Sequence, residues 1–186
     1  MDPRSVQKID KTDEDLTKDA MHELPYGIYV IGSTRDRKPN GMIADWVMQV
    51  SFNPRLVAVS FERDSSTLQR VRDHGFFTVN LLREQDNGMA LAAQFVQPAN
   101  AGKVRGRSDE AAAQYHDKLE GVDYRLSERT GGCPILEDAL VFLECQAEQF
   151  LDAGDHVLVL GRVLHGEVIN GGDPLTSTFT NWTYSG

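Results

Sequence analysis

The chain has 186 residues, 40% of them hydrophobic, enough for one domain that buries roughly 70% of the surface its unfolded form exposes. Against 19 Lys and Arg stand 28 Asp and Glu, a formal charge of −9, which speaks against a nucleic-acid partner because a polyanion attracts the opposite sign. No run reaches the ~20 apolar residues of a membrane span, residues 1–18 are too polar for a signal peptide, and Cys133 and Cys145 are too few and too widely spaced for a zinc site or a Cys-x-x-C pair, so a cytoplasmic protein with reduced thiols and no membrane partner is expected.

In chain order, residues 1–22 are charged and lack sustained apolar periodicity, which predicts a polar leader or a surface helix ahead of a domain over 23–186. Strand-like runs follow at Gly27–Ile31, Gly41–Val50 and Leu56–Phe61, bounded by turn residues around Pro39-Asn40 and Asn53-Pro54. A short helix over Thr67–Asp73 ends near Gly75, and a further strand covers Phe76–Leu82. Asp86–Phe95 reads as a helix with Met89, Ala92, Ala93 and Phe95 on its apolar face, and Asp109–Leu119 as another after a Gly- and Lys/Arg-containing loop. Alternation in Leu143–Glu148, the turn Ala153-Gly154-Asp155 and the β run His156–Ile169 predict an antiparallel hairpin. Strands on short turns with inserted helices argue for a mainly β fold, an antiparallel barrel or sandwich with peripheral helices. A doubly wound fold would alternate strands with helices and usually offer G-x-G-x-x-G, which is absent.

Ser65, Ser66 and Thr67 sit where a loop enters a helix, with Arg63 adjacent. Free N–H groups at a helix start, hydroxyls and a guanidinium suit a phosphate. The commoner explanation of such residues is that Ser66 or Thr67 caps the helix. Met42–Trp46 and Val50-Ser51 can offer a planar ligand an apolar bed and exposed peptide groups, although Trp46 also suits a core anchor and Ser51 a turn before Pro54. His156 opens a strand and could line a cleft, or be ordinary. His22, His74, His116 and His165 lack metal-ligand spacing and are expected to be surface or structural residues; no metal site is expected. Cys145 fits a buried small hydrophobe, and Cys133 has no visible base to make it a nucleophile. Lys103, Arg105 and Arg107 form a basic cluster, either a solvated loop or a lure for nucleotide phosphates.

Ala44-Asp45-Trp46, Gln49-Val50-Ser51 and Pro54–Val59, with Gly154-Asp155-His156 and the aromatic ending Thr180–Tyr184, resemble the flavin reductase-like family. The resemblance runs from about Leu24 to the C-terminus. It implies an antiparallel Greek-key split β-barrel that binds FMN, with FAD possible, and an oxidoreductase that uses NAD(P)H as cosubstrate. It further implies that Ser65, Ser66, Thr67 and Arg63 hold the flavin phosphate. Met42, Ile43, Ala44, Asp45 and Trp46, with Val50 and Ser51 nearby, would line the ring and ribityl chain, and His156 would stand at the nicotinamide. Asp45 departs from the Ser or Thr of many relatives. A carboxylate repels a phosphate dianion, so Asp45 is expected to bond ribityl hydroxyls, a backbone N–H or Arg63. A homodimer is implied as well, with a flavoredoxin-type electron carrier served by a partner protein, or a non-redox binding module, as the rival readings. A monooxygenase or another redox protein would be the acceptor.

Overall fold

The computed structural model describes residues 11–85, 87–96 and 117–182. Residues 13–22 form a surface helix, α1 (Asp13–His22), capped by Thr12 and without a buried residue. Strands β1 (Tyr29–Arg35), β2 (Lys38–Ala44), β3 (Val47–Phe52) and β4 (Arg55–Glu62) precede helix α2 (Ser66–His74) and strand β5 (Phe76–Leu81). Helix α3 (Gly88–Val96), short strands β6 (Tyr124–Leu126) and β7 (Pro134–Leu136), the long pair β8 (Val141–Ala153) and β9 (His156–Val168), and a final turn of helix α4 (Ser177–Thr180) complete the described chain.

One seven-stranded antiparallel sheet runs in the order β2-β1-β5-β8-β9-β4-β3. The expected single strand over Gly41–Val50 is therefore two, and they lie on opposite edges of that sheet. Only Asp45 and Trp46 join them, and consecutive Cα atoms are about 3.8 Å apart, so the sheet must coil until its edges approach at this link. The apolar periodicity of Gly41–Val50 could not reveal the break, because both halves are extended and the change lies in which neighbour each one pairs with.

Coiling divides the apolar residues into two cores. Ile31, Val57, Val59, Phe61, Phe77, Val79, Val157 and Val159 fill the sheet's concave side, and Leu68 and Val71 of α2 close that core. Val30, Leu82, Leu91, Ala92, Phe95 and Leu136 form the second core, where α3 lies outside the sheet. The face of α3 thus differs from the expected one: Gly88, Leu91, Ala92 and Phe95 are buried, while Met89 and Ala93 are exposed. Trp182 packs on this second core, which gives the aromatic ending a packing role; Thr183 and Tyr184 lie outside the described residues. Cys133 and Cys145 are both fully buried; burial pushes the Cys133 thiol up to about 11 and raises Cys145 as well, as fits inert structural thiols.

The β8–β9 hairpin forms as expected and extends further, with bulges between Glu144 and Cys145 and between Ala147 and Gln149. Strands β6 and β7 were not anticipated. Lys118–Gly121 is a turn rather than the end of a helix, and 109–116 lie outside the described residues, as do Lys103, Arg105 and Arg107.

Lys118 is buried, at 6% exposure, and its ammonium donates to the Phe95 carbonyl at the end of α3, 2.9 Å away. Burial lowers it from 10.5 to about 8. Below pH 8 the side chain is charged in both states and the folded chain carries the whole desolvation cost. Between about 8 and 10.5 only the unfolded chain keeps the proton, so that cost shrinks as pH rises. Urea unfolding should therefore show the wild type gaining about 1 kcal/mol on Lys118→Met between pH 7 and pH 9. A constant difference would show that Lys118 is solvated.

Candidate functional site

The link between the two edge strands and the start of β9 converge. The Trp46 carbonyl accepts from the Ser60 amide at 3.1 Å, which fixes the link to β4. His156 pairs with Glu62, the last residue of β4, so its imidazole meets the Trp46 ring: the centroids are 4.9 Å apart and the planes tilted by 46°. His156 Nδ1 lies 2.7 Å from Asp155 Oδ1. Hydrogen bonding to this imidazole, then its charge, holds the Asp155 carboxyl below its ordinary range.

Asp45 is half-buried, and burial raises its carboxyl; the backbone N–H groups of Asp45 and Trp46, then the charge of His156, pull the other way. Met42 and Ile43 are half-buried and Ala44 is buried on β2; Met42 and Ala44 pack in the first core and Ile43 against the second, so Ile43 lies on the opposite face of the strand.

The serine–threonine corner opens α2 one residue earlier than expected. Ser65 is the N-cap; its Oγ accepts from the Leu68 amide at 3.4 Å and donates to Met42 Sδ at 3.4 Å. Ser66 stands exposed at the first helical position, while Thr67 is 3% exposed. The first turn of α1 carries Asp13, Glu14 and Asp15, but that of α2 has no acidic residue to offset its positive end. The first N–H groups of a helix have no intrahelical acceptor. A phosphate therefore fits the donor set here: peptide N–H groups, the Ser66 hydroxyl and an uncompensated helix dipole. Asp64, just before the cap, is the opposing charge nearest in sequence.

Arg63 belongs to the same corner, but its guanidinium is turned to the β8–β9 turn. Its Nε donates to the Gly154 carbonyl at 2.9 Å, and Nη1 pairs with Asp152 at 2.8 Å. Asp152 was not anticipated. Nothing in its residue type marks it, since only the β4–β9 register brings it to Arg63.

Val50 and Ser51 stand apart from the rest. Ser51 pairs with Leu56, at the opposite end of β4 from Glu62, after a bulge that leaves Val50 exposed. An open groove of about 420 Å³ at the other end of the sheet is lined by residues that include Arg55, Leu143, His165 and Glu167, and it takes in none of the anticipated site residues. His74 is structural, its Nε2 lying 2.6 Å from the Thr130 carbonyl.

A profile described as "Flavin reductase like domain" matches residues 21–184. The chain belongs to the flavin reductase-like family. High molecular weight rubredoxin from Moorella thermoacetica is 32% identical over 86% of this chain and 63% of that protein. Diflavin flavoprotein A 1 from Synechocystis is 31% identical over 88% of this chain but 26% of that protein, so the chain spans only part of the length of these curated relatives. In solved structures the same fold occurs in Flavin reductase PheA2, 30% identical with a TM-score of 0.67, covering 89% of this chain and 93% of that one. This family member has the mainly β architecture with peripheral helices of its structural relatives. Among the described residues no helix is long and apolar enough to cross a membrane.

Proposed function

We propose that this chain is an NAD(P)H-dependent flavin reductase that holds FMN between the α2 N-terminus and the β2–β3 link. The observation that carries the reading is the meeting of Trp46 and His156, distant in sequence, at the end of β4 that leads directly into the Ser65–Thr67 corner. When bound, the flavin would supply the redox chemistry by accepting hydride from a reduced nicotinamide. The protein's part is to bind and orient. Ser66 and the first N–H groups of α2 would take the phosphate, with Thr67 and the N-cap Ser65 behind them. The β2 backbone over Met42, Ile43 and Ala44 would form the bed. Asp45, half-buried on the link, would face ribityl hydroxyls. His156, oriented by Asp155, would present its imidazole to the nicotinamide.

A homodimer belongs to the same proposal. The edge strand β3 exposes Met48 at 63% and Phe52 at 87%, more apolar surface than a lone edge strand normally leaves uncovered, and a second copy would cover it. A second copy is also what would bring Val50 and Ser51 to a flavin. The physiological acceptor would be a redox partner protein or a monooxygenase.

Stopped-flow mixing of the FMN-loaded protein with NADH or NADPH tests the reading. Rapid bleaching of the visible flavin absorption is expected. In His156→Ala bleaching should slow by about tenfold or more with the FMN affinity little changed, as for a group that acts on the second substrate. A protein that binds FMN but is not bleached by either nucleotide would be the electron carrier, and one that takes up neither FMN nor FAD would have no flavin role.

A further inference from the structure

The residue that ties the two halves of the site together is Arg63. It lies just past β4, and its backbone continues the β4–β9 pairing: its amide donates to the Asp155 carbonyl at 3.2 Å. Its side chain reaches the same turn, through Nε to the Gly154 carbonyl and Nη1 to the Asp152 carboxylate. Gly154 takes φ +64, the left-handed conformation this turn requires, and His156 follows two residues later. We infer that Arg63 is a positioning residue: it clasps the β8–β9 turn to the end of β4 and thereby seats Asp155 and His156 against Trp46.

The physical case rests on shape more than on charge. The ion pair with Asp152 is solvated, at 48% and 75% side-chain exposure, and such pairs contribute little. The Nε–H bond to the Gly154 carbonyl is different, because it is the side-chain bond that fixes turn backbone; the amide bond to Asp155 is backbone to backbone and persists in every variant at this position. A planar guanidinium presents Nε–H and Nη–H in a rigid fork, and here the fork spans a carbonyl and a carboxylate of one turn. A side-on grip of a phosphate through Nε–H is thereby taken up by the turn, and the flavin titrations below decide whether the outer edge of the guanidinium meets a phosphate. The kinetic part of this inference rests on the flavin reductase reading; the structural part does not.

The decisive measurement is made first on the protein without added flavin. The Cε1–H resonance of His156, displaced by the ring current of Trp46, is followed by NMR in the wild type, Arg63→Met, Arg63→Lys and Asp152→Asn. Both Arg63 variants should lose most of that displacement, since an ammonium cannot reproduce the fork, and Asp152→Asn should lose a smaller part. Asp152 is exposed, so its variant keeps the test open should Arg63→Met fold poorly. A His156 resonance that keeps its full wild-type displacement in Arg63→Met, or in Asp152→Asn if only that variant folds, overturns the inference.

Flavin titrations then separate positioning from phosphate binding. With Arg63→Met, FMN and riboflavin affinities should stay within about twofold of each other's change while kcat falls about tenfold, and Arg63→Lys should not rescue kcat. A fall of tenfold or more for FMN alone, recovered by lysine, would make Arg63 a phosphate ligand and reject the inference. Should the wild type bind neither flavin, the functional reading fails, and the NMR comparison still decides what Arg63 does.

Discussion

Ser66→Glu should weaken FMN binding by about two orders of magnitude, leave riboflavin within about threefold, and raise the thermal midpoint slightly. The argument runs through one helix end. Ser66 is exposed at the first position of α2, in a first turn with no acidic residue of its own. A carboxylate placed there meets the helix dipole favourably and should stabilise the fold by about 0.3–1 kcal/mol. The same carboxylate about 6 Å from a phosphate dianion, at an effective dielectric near 40, costs about 3 kcal/mol, or a factor of about 100 in affinity. Riboflavin has no phosphate and escapes that term. Opposite signs for stability and FMN affinity are what separate this outcome from general damage. Parallel titrations of FMN and riboflavin by fluorescence quenching, with a thermal melt of each protein, would show it. Equal losses for the two flavins would place the phosphate elsewhere and leave Ser65 a helix cap with no further duty.

How much of this could be read from the chain depends on whether a residue's role is local. The cap at Ser65 is local: a hydroxyl, a polar run and Gly75 at the far end, which takes φ +80 as a helix stop commonly does, mark α2 to within a residue. The β8–β9 hairpin is local too, signalled by alternation and a Gly-Asp turn. The break at Asp45-Trp46 is not. Its residues stay extended on both sides, and only the order of the whole sheet shows that β2 and β3 are opposite edges. Arg63 illustrates the same limit at the site. Its neighbours in sequence suggest a phosphate, but its partners, Asp152 and Gly154, are set by the register of β4 on β9. His156 became legible only with the family resemblance, since a histidine at a strand start has many ordinary uses. Trp46, which meets it, gives no sign in sequence of which strand it will face.

Asn80→Leu should cost about 3–5 kcal/mol of stability while the fraction that remains folded binds FMN with unchanged affinity. Asn80 is fully buried in β5, in a run, Phe76–Leu81, that otherwise reads as an ordinary apolar strand. Its Nδ2 donates to the Val30 carbonyl at 3.1 Å, and its Oδ1 accepts from the Leu136 amide at 2.9 Å. Thr78, two residues earlier, donates to the Pro134 carbonyl at 2.5 Å. These polar side chains are what dock β7 across β1 and β5, where a Cβ added to Gly32 would come within 2.5 Å of that same Pro134 carbonyl. Leucine has the branch point and heavy-atom count of asparagine but is bulkier, so overpacking at this fully buried position adds about 1–3 kcal/mol to the loss of polarity. It would strand the buried Leu136 amide, worth about 1–3 kcal/mol when unsatisfied, while the Val30 carbonyl keeps its place in the β1–β5 ladder. The dock lies on the second core, away from Trp46, His156 and the α2 N-terminus, so the binding site should not feel it. Urea unfolding read beside an FMN titration settles the point: a large stability loss with an unaltered dissociation constant is expected. A loss below about 1 kcal/mol would mean that water replaces the amide, and a coupled loss of FMN affinity would mean that the site extends to this face.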